Sequence, residues 1–136
     1  MMKKEFEQTI YGKVPSKSNC NRVVTINGKG RIVPSKEVKL YERNFILQCK
    51  YRNRHIKGFF SFDMDAYFTT SRQDLDNSLK AIFDNLQTCG AIENDSRCVE
   101  FHARKFVDRS NPRIEFTITE MFNYDEGNSD GKTDGE

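Results

Sequence analysis

Between residues 59 and 68 the chain alternates: Phe60, Phe62, Met64, Ala66 and Phe68 are apolar, with Ser61, Asp63, Asp65 and Tyr67 between them. Period-two alternation marks a strand with one buried face, so this segment is the clearest strand of the chain. Residues 5–11 (EFEQTIY) predict a shorter strand, and 97–107 alternate again through Val99, Phe101 and Ala103. A turn at 108–112 then leads to Ile114, Phe116 and Ile118, so the last two strands are expected to form a hairpin. Helical spacing appears twice. Val38, Tyr41, Phe45 and Cys49 make one face of a helix that Ser35 caps and that runs to about His55, with Leu40 and Leu47 nearly opposite. Leu75, Leu79, Ile82 and Leu86 make the stripe of a second helix over 75–88, with Gly90 placed to end it.

Between the first strand and the first helix lies a long basic connection, residues 12–34, punctuated by Gly12, Pro15, Gly28, Gly30 and Pro34. It is either a functional loop or a small hairpin turning at Asn27-Gly28. From Asn123 onward the chain is polar, acidic and Gly-rich, the composition of a disordered tail. The pattern therefore predicts one α+β domain over 1–121, with a mixed or mostly antiparallel sheet and two main helices, followed by a tail over 122–136.

Composition narrows the class. With 136 residues, 36% hydrophobic and 11 Phe, the chain has material for one real core. No run approaches the roughly 18 apolar residues of a membrane helix, and Met1-Met2-Lys3-Lys4-Glu5 lacks a signal peptide's apolar stretch, so a soluble, cytoplasmic protein is expected. Cys20, Cys49, Cys89 and Cys98 show no metal-binding or disulfide-framework spacing and are expected as free thiols. The net charge of +2 conceals two halves. Residues 1–57 hold 14 Lys and Arg against 4 Asp and Glu, whereas residues 58–136 hold 8 against 16. A surface that attracts a polyanion beside a site that concentrates carboxylates has this asymmetry, and so does a solvated basic helix beside an acidic tail.

Three carboxylates stand where patterning does not require them. Asp74 and Asp76 flank Leu75 at the start of the second helix, and Asp95 lies in the turn after it. With Leu75 inward, both acids of the pair face solvent, and Lys80 follows Asp76 by one helical turn. If the strand near Arg97 returns alongside, Asp95 joins them. Gathered carboxylates hold a proton or a cation, and oxygen donors select a hard cation such as Mg²⁺ that also accepts phosphate oxygens. The same residues have plainer uses: a helix cap, a surface ion pair between Asp76 and Lys80, and turn chemistry at Asp95. Asp63 with Asp65, on one strand face, and Asp84, two turns beyond Asp76, are further acidic candidates whose ordinary use is a solvated surface. His55 and His102 lack partners at ligand spacing, and no phosphate-binding glycine loop is present, which argues against a nucleotide cofactor.

The string Asp74-Leu75-Asp76-Asn77-Ser78-Leu79-Lys80, with Asp84 and then Asp95 after a Gly turn, resembles the RusA family of Holliday-junction endonucleases. The opening segment from Tyr11 through Pro15 and Lys17 to Asn19 is similar to that family's Gly/Pro/Lys N-terminal segment, and Asn111-Pro112-Arg113-Ile114-Glu115 to its last strand. The resemblance spans residues 6–121. It departs at Ser18-Asn19-Cys20-Asn21-Arg22, where the family is richer in Pro and Arg, and this bears on substrate preference more than on chemistry.

That resemblance implies a bacterial or prophage-encoded homodimer that cuts branched, four-way DNA with Mg²⁺ or Mn²⁺, leaving 5′-phosphate and 3′-hydroxyl ends. It implies Asp74, Asp76 and Asp95 as the metal-binding catalytic carboxylates and Lys80 as the essential basic residue. Lys13, Lys17, Arg22, Lys29, Arg31 and Arg72 are then the expected DNA contacts, with Lys36, Lys39, Lys50, Arg52 and Arg54 adding charge along the first helix, and Tyr11, Tyr51 or Phe59 as candidate wedges at the crossover. Two other readings remain beside it. One is a non-catalytic DNA-binding module with a basic N-terminal half; the other is a protein-binding domain that uses the first helix's second stripe.

Overall fold

The computed structural model describes residues 7–15 and 21–122. Along the chain run strands β1 (Gln8–Tyr11), β2 (Asn21–Ile26) and β3 (Lys29–Pro34), helix α1 (Lys36–Gln48), and strand β4 (Phe60–Phe68). Helix α2 (Leu75–Thr88), a 3₁₀ turn (Asp95–Arg97), and strands β5 (Cys98–Val107) and β6 (Arg113–Glu120) follow. The architecture is α+β: two helices on a mixed four-stranded sheet ordered β1-β6-β4-β5, with the β2–β3 hairpin apart from it. Among the described residues no helix is long and apolar enough to cross a membrane.

β4 behaves as its alternation requires. Its burial alternates without a break, and Phe60, Phe62, Met64, Ala66 and Phe68 are all core residues. It occupies the interior of the sheet, antiparallel to β6 (Met64 opposite Phe116) and parallel to β5 (Phe62 opposite Phe101). The core is aromatic. Phe116 lies 5.3 Å from the Phe62 ring, 5.9 Å from Tyr51 and 6.3 Å from Phe45, centroid to centroid, and so joins the sheet to α1 and the turn after it. Phe116→Ala removes the shared member of all three contacts and is expected to cost about 3–5 kcal/mol of unfolding free energy, measurable by urea titration followed by circular dichroism.

The expected terminal hairpin does not form. β6 pairs with β4 and β1, and never with β5. The turn 108–112 arches over the end of β4 instead, where the Asp108 N–H donates to Phe68 O at 2.8 Å. β4 gains a partner on each side this way, which satisfies the backbone of the most apolar strand. β5, joined to β4 through α2, must run parallel to it, because a strand–helix–strand crossover returns the chain to the end where it began.

The hairpin at Asn27-Gly28 is present: both residues have positive φ, 53° and 78°, the backbone that a tight two-residue β-turn needs. α1 starts where Ser35 caps it, its side chain accepting from Val38 N–H, but it ends at Gln48 rather than near His55. Beyond Cys49 the backbone is claimed by the loop after α2: Asn53, His55 and Ile56 N–H groups donate to the carbonyls of Cys89, Gly90 and Ala91. Asn53 and His55 adopt positive φ to make this possible, which excludes helix. Lys50, Arg52 and Arg54 therefore lie on this turn and not on α1. α2 spans 75–88 as patterned, and Gly90, φ 77°, closes it by donating to Gln87 O. Cys49, Cys89 and Cys98 are free thiols, and Cys20 lies outside the described residues, as do residues 123–136 of the expected tail.

Candidate active site

The turn between β4 and α2 sets the acidic pair. Asp74 occupies the N-cap of α2, but its side chain caps no backbone N–H. Its Oδ2 accepts from Asn77 Nδ2 at 3.2 Å, while Ser78 caps in the reverse sense, its Oγ donating to Asp74 O at 2.9 Å. A carboxylate spending its oxygens on neither backbone donor nor cation at a helix start is an unusual use of Asp. Asp76 is exposed in the first turn and makes no side-chain hydrogen bond or ion pair among the described residues. The same holds for Lys80, exposed one turn on, so the surface ion pair between Asp76 and Lys80 is not formed. Both acids sit at the positive end of the α2 dipole, which offsets part of their mutual repulsion.

Two residues the sequence reading passed over hold this turn in place. Gln73 is buried, and its Nε2 donates to Val14 O at 2.9 Å and to Ser78 Oγ at 3.2 Å, tying the start of α2 to the segment after β1. Lys105 sits on β5 opposite the buried Ala66, and its Nζ donates to Ser71 O at 3.1 Å and Gln73 O at 3.3 Å. A signal existed for Lys105: it interrupts the inward series Val99, Phe101, Ala103, Val107, where an apolar residue belongs. A lysine at an inward register position is there for carbonyls or a charge, not for the core.

Asp95 does not join the pair within one chain. It opens the 3₁₀ turn before β5, and its N–H donates to Gln87 Oε1 at 2.6 Å, at the C-terminal end of α2. Asp74 and Asp76 stand at the other end of this 14-residue helix, about 20 Å away at 1.5 Å per residue. Accordingly, no group of three or more His, Cys, Asp or Glu among the described residues is arranged to hold a metal ion. The reason is topological: the acids follow the end of β4, Asp95 precedes the start of β5, and those two strands are parallel. The chain neighbours of Asp95 line an open cleft of about 570 Å³, formed by Lys57, Phe59, Glu93, Asn94, Ser96 and Arg97, with the Arg97 guanidinium 5.0 Å above the Phe59 ring.

The other acidic candidates are accounted for differently. Asp63 and Asp65 are mostly buried and both bind Arg104, at 3.2 Å and 2.6 Å, so one guanidinium offsets part of their charge on the open face of the sheet. Asp84 lines a second cleft, of about 600 Å³, between α1, α2 and the hairpin, together with Lys80, Asn77, Asn85 and Tyr41. The Tyr41 hydroxyl is buried there without a hydrogen-bond partner among the described residues, and burial pushes its ionisation far above the ordinary phenol range. His55 pairs with Glu93 at 3.2 Å.

The basic residues divide among three places. Lys13 is exposed in the segment after β1, Lys29 and Arg31 are exposed on the hairpin, and Arg72 is exposed in the turn beside Asp74. Lys17 and the side chain of Arg22 lie outside the described residues. Of the proposed wedges, Tyr11 is exposed, but Tyr51 is core: its hydroxyl donates to Glu7 Oε2 and accepts from Ile118 N–H. Tyr51 is therefore a packing residue and not a DNA contact.

Comparison with known proteins bears on this site. A family model described as "Endodeoxyribonuclease RusA" matches residues 14–119. Proteins named "Crossover junction endodeoxyribonuclease RusA" from Escherichia coli K12, Escherichia coli O1:K1 and Shigella sonnei Ss046 are each 42% identical over 52 residues. The aligned segment covers 38% of this chain and 43% of each relative, less than half of their length.

Proposed function

This chain belongs to the RusA endodeoxyribonuclease family, and from that premise we propose that it is a homodimeric, Mg²⁺- or Mn²⁺-dependent endonuclease of four-way DNA junctions. The observation that carries this reading is the start of α2. There, one Asp at the cap position forgoes capping, a second Asp is unpaired, and Lys80 follows on the same side. Nothing in folding requires that combination, and phosphodiester hydrolysis uses it.

The donor set suits a hard cation. Apart from the one bond to Asn77, the Asp74 and Asp76 oxygens accept no hydrogen bond among the described residues, and Mg²⁺ is commonly held by one or two carboxylates with waters and phosphate oxygens. A bound Mg²⁺ would supply a water of lowered pKa and neutralise charge on the phosphate. Asn77 orients Asp74; Gln73 and Lys105 fix the turn that carries both acids; the Lys80 ammonium offsets charge developing on the phosphoryl or leaving oxygens. Asp95 reaches this position only from a second subunit, because its own α2 keeps it away. Lys13, Lys29, Arg31 and Arg72, with Lys17 and Arg22, then contact the phosphates of the junction arms and fix its position without reading sequence.

The test is incubation of end-labelled four-way, duplex and single-stranded DNA with the protein, with and without Mg²⁺. Cuts on opposed strands of the four-way substrate alone, abolished by EDTA, are expected. Binding is expected to weaken steeply with salt, by roughly 0.9 log units of affinity per log unit of salt for each phosphate neutralised. Junction binding with no cleavage in Mg²⁺ or Mn²⁺ would leave a DNA-binding module and remove the enzyme.

A further inference from the structure

The cleft of about 600 Å³ between α1 and α2 has the size of a small-molecule site. One wall comes from α1, with Val38, Tyr41 and Glu42, and the other from α2, with Asn77, Lys80 and Ala81. On each helix these positions recur at three- and four-residue spacing, so each wall is a single helical face. Tyr41 is the anomaly. Its ring is fixed edge-on against Phe45, centroids 6.1 Å apart, and it is only 4% exposed. Its hydroxyl nevertheless has no hydrogen-bond partner among the described residues. A buried hydroxyl left unpaired costs stability, and phenylalanine would pack the same ring without that cost. Folding gives no reason for this oxygen, whereas a ligand in the cleft does.

We infer that this cleft takes one nucleobase of the cut strand, swung out of its stack beside the scissile phosphate, and selects a base with an exocyclic amino group. The inference rests on the nuclease reading, which places that phosphate between the acidic pair and Lys80. Asn77 and Lys80 belong to both places. Asn77 binds Asp74 and Lys80 offsets charge on the phosphate, and both also line the cleft. A nucleotide whose phosphate sits at the start of α2 therefore has this cleft beside its base. Extruding a base costs least where stacking is already interrupted, as it is at a crossover.

The lining chooses the class of base. Glu42 is half-buried and makes no ion pair or side-chain hydrogen bond among the described residues. Asn77 spends its Nδ2 on Asp74 Oδ2, which leaves its Oδ1 as an acceptor. Val38 and Ala81 are apolar and half-buried, suited to the flat faces of a base. Carboxylate and amide oxygens accept from the amino group of cytosine, adenine or guanine. The Tyr41 hydroxyl, donor or acceptor, serves the ring nitrogen or carbonyl beside that group. Thymine has no amino group and leaves the acceptors empty. Phosphate contacts position a junction without reading it, and this cleft supplies the reading.

Two measurements on the full chain test the cleft. In the first, 2-aminopurine, an amino-bearing base that fluoresces when unstacked, is placed in turn at each position around the crossover, with EDTA present. Saturating protein is expected to raise its fluorescence at least about threefold at one position, beside the phosphate cut in Mg²⁺, and nowhere else. Ala81→Phe fills the cleft from a half-buried helix position and is expected to abolish the rise, with circular dichroism verifying the fold. In the second, single-turnover rates in Mg²⁺ compare all four bases and an abasic site at that position. Thymine and the abasic site are expected to be cut at least about tenfold more slowly than the best amino-bearing base. Tyr41→Phe is expected to shrink this difference at least about threefold while its urea midpoint stays or rises. Unchanged fluorescence at every position, thymine or an abasic site cut as fast as the best base, or the full difference kept by Tyr41→Phe overturns the inference. A rise that Ala81→Phe removes, in a chain that cuts nothing, supports the cleft and overturns the nuclease reading. Junction cutting that is blind to the base does the reverse.

Discussion

Asp76→Asn is expected to lower Mg²⁺-dependent cleavage of a four-way junction by at least about 10³-fold while changing junction affinity by less than about threefold. The substitution keeps size and polarity, so helix α2 and its packing should be undisturbed: Asp76 is exposed and takes part in no hydrogen bond that the fold uses. What it removes is one of two anionic donors at the helix start, and a neutral amide oxygen is a weak ligand for a hard cation. DNA contact depends on lysines and arginines elsewhere, and losing a negative charge next to phosphates tends to strengthen binding. The readouts are single-turnover cleavage and gel-shift affinity on the same junction. Asp84→Asn serves as the control: Asp84 lies two turns along the helix, and its loss is expected to change the rate by less than about tenfold. Cleavage by Asp76→Asn at the wild-type rate would remove the acidic pair from the mechanism, and loss of junction binding would point to a structural effect instead.

Much of the fold was legible because local pattern and final environment agree. The alternation of 59–68 marks β4 as a strand with one buried face, the stripe Leu75, Leu79, Ile82, Leu86 marks α2, and Asn27-Gly28 offers a hairpin turn inside the basic connection. What failed depends on partners that no local pattern encodes. Residues 97–107 and 113–120 are both strands, but their separation by β4 follows from where that strand finds hydrogen bonds on both sides. The sequence holds nothing between Cys49 and His55 that ends α1, and tertiary hydrogen bonds to the loop after α2 stop it at Gln48.

The candidate site divides along the same line. Asp74, Asp76 and Lys80 share one helix end, so sequence spacing sufficed to group them. Asp95 was expected beside them because a turn reverses the chain, but the turn follows a whole helix, and the crossover delivers Asp95 to the opposite end of the sheet. Arg104 had no visible role in the sequence, and it turns the acidic pair Asp63 and Asp65 into an internal ion-pair network. Gln73 likewise had no signal, since what it binds is the Val14 carbonyl and the Ser78 hydroxyl, whereas Lys105 betrays itself only by standing at an inward position of β5.

Subunit mixing separates a site made within one chain from a site made between two. Asp76→Asn and Asp95→Asn homodimers are each expected to be inactive, because every site in them lacks one carboxylate. In a heterodimer of the two variants, the outcome depends on which chain supplies Asp95. If Asp95 serves its own chain, both sites still carry one lesion and the heterodimer is dead. If it serves the neighbour, one site collects both lesions and the other is intact, formed by Asp74 and Asp76 of the Asp95→Asn chain with Asp95 of the Asp76→Asn chain. The roughly 20 Å of α2 between the acids requires the second arrangement for a shared ion. Co-expression with two different affinity tags isolates the heterodimer. It is expected to nick one strand of the junction at about half the wild-type rate per dimer and to yield almost no paired cuts, a gain of at least about 10²-fold over either homodimer. A heterodimer as inactive as its parents would withdraw Asp95 from the shared site and leave the Asp74–Asp76 pair to act with waters and substrate oxygens alone.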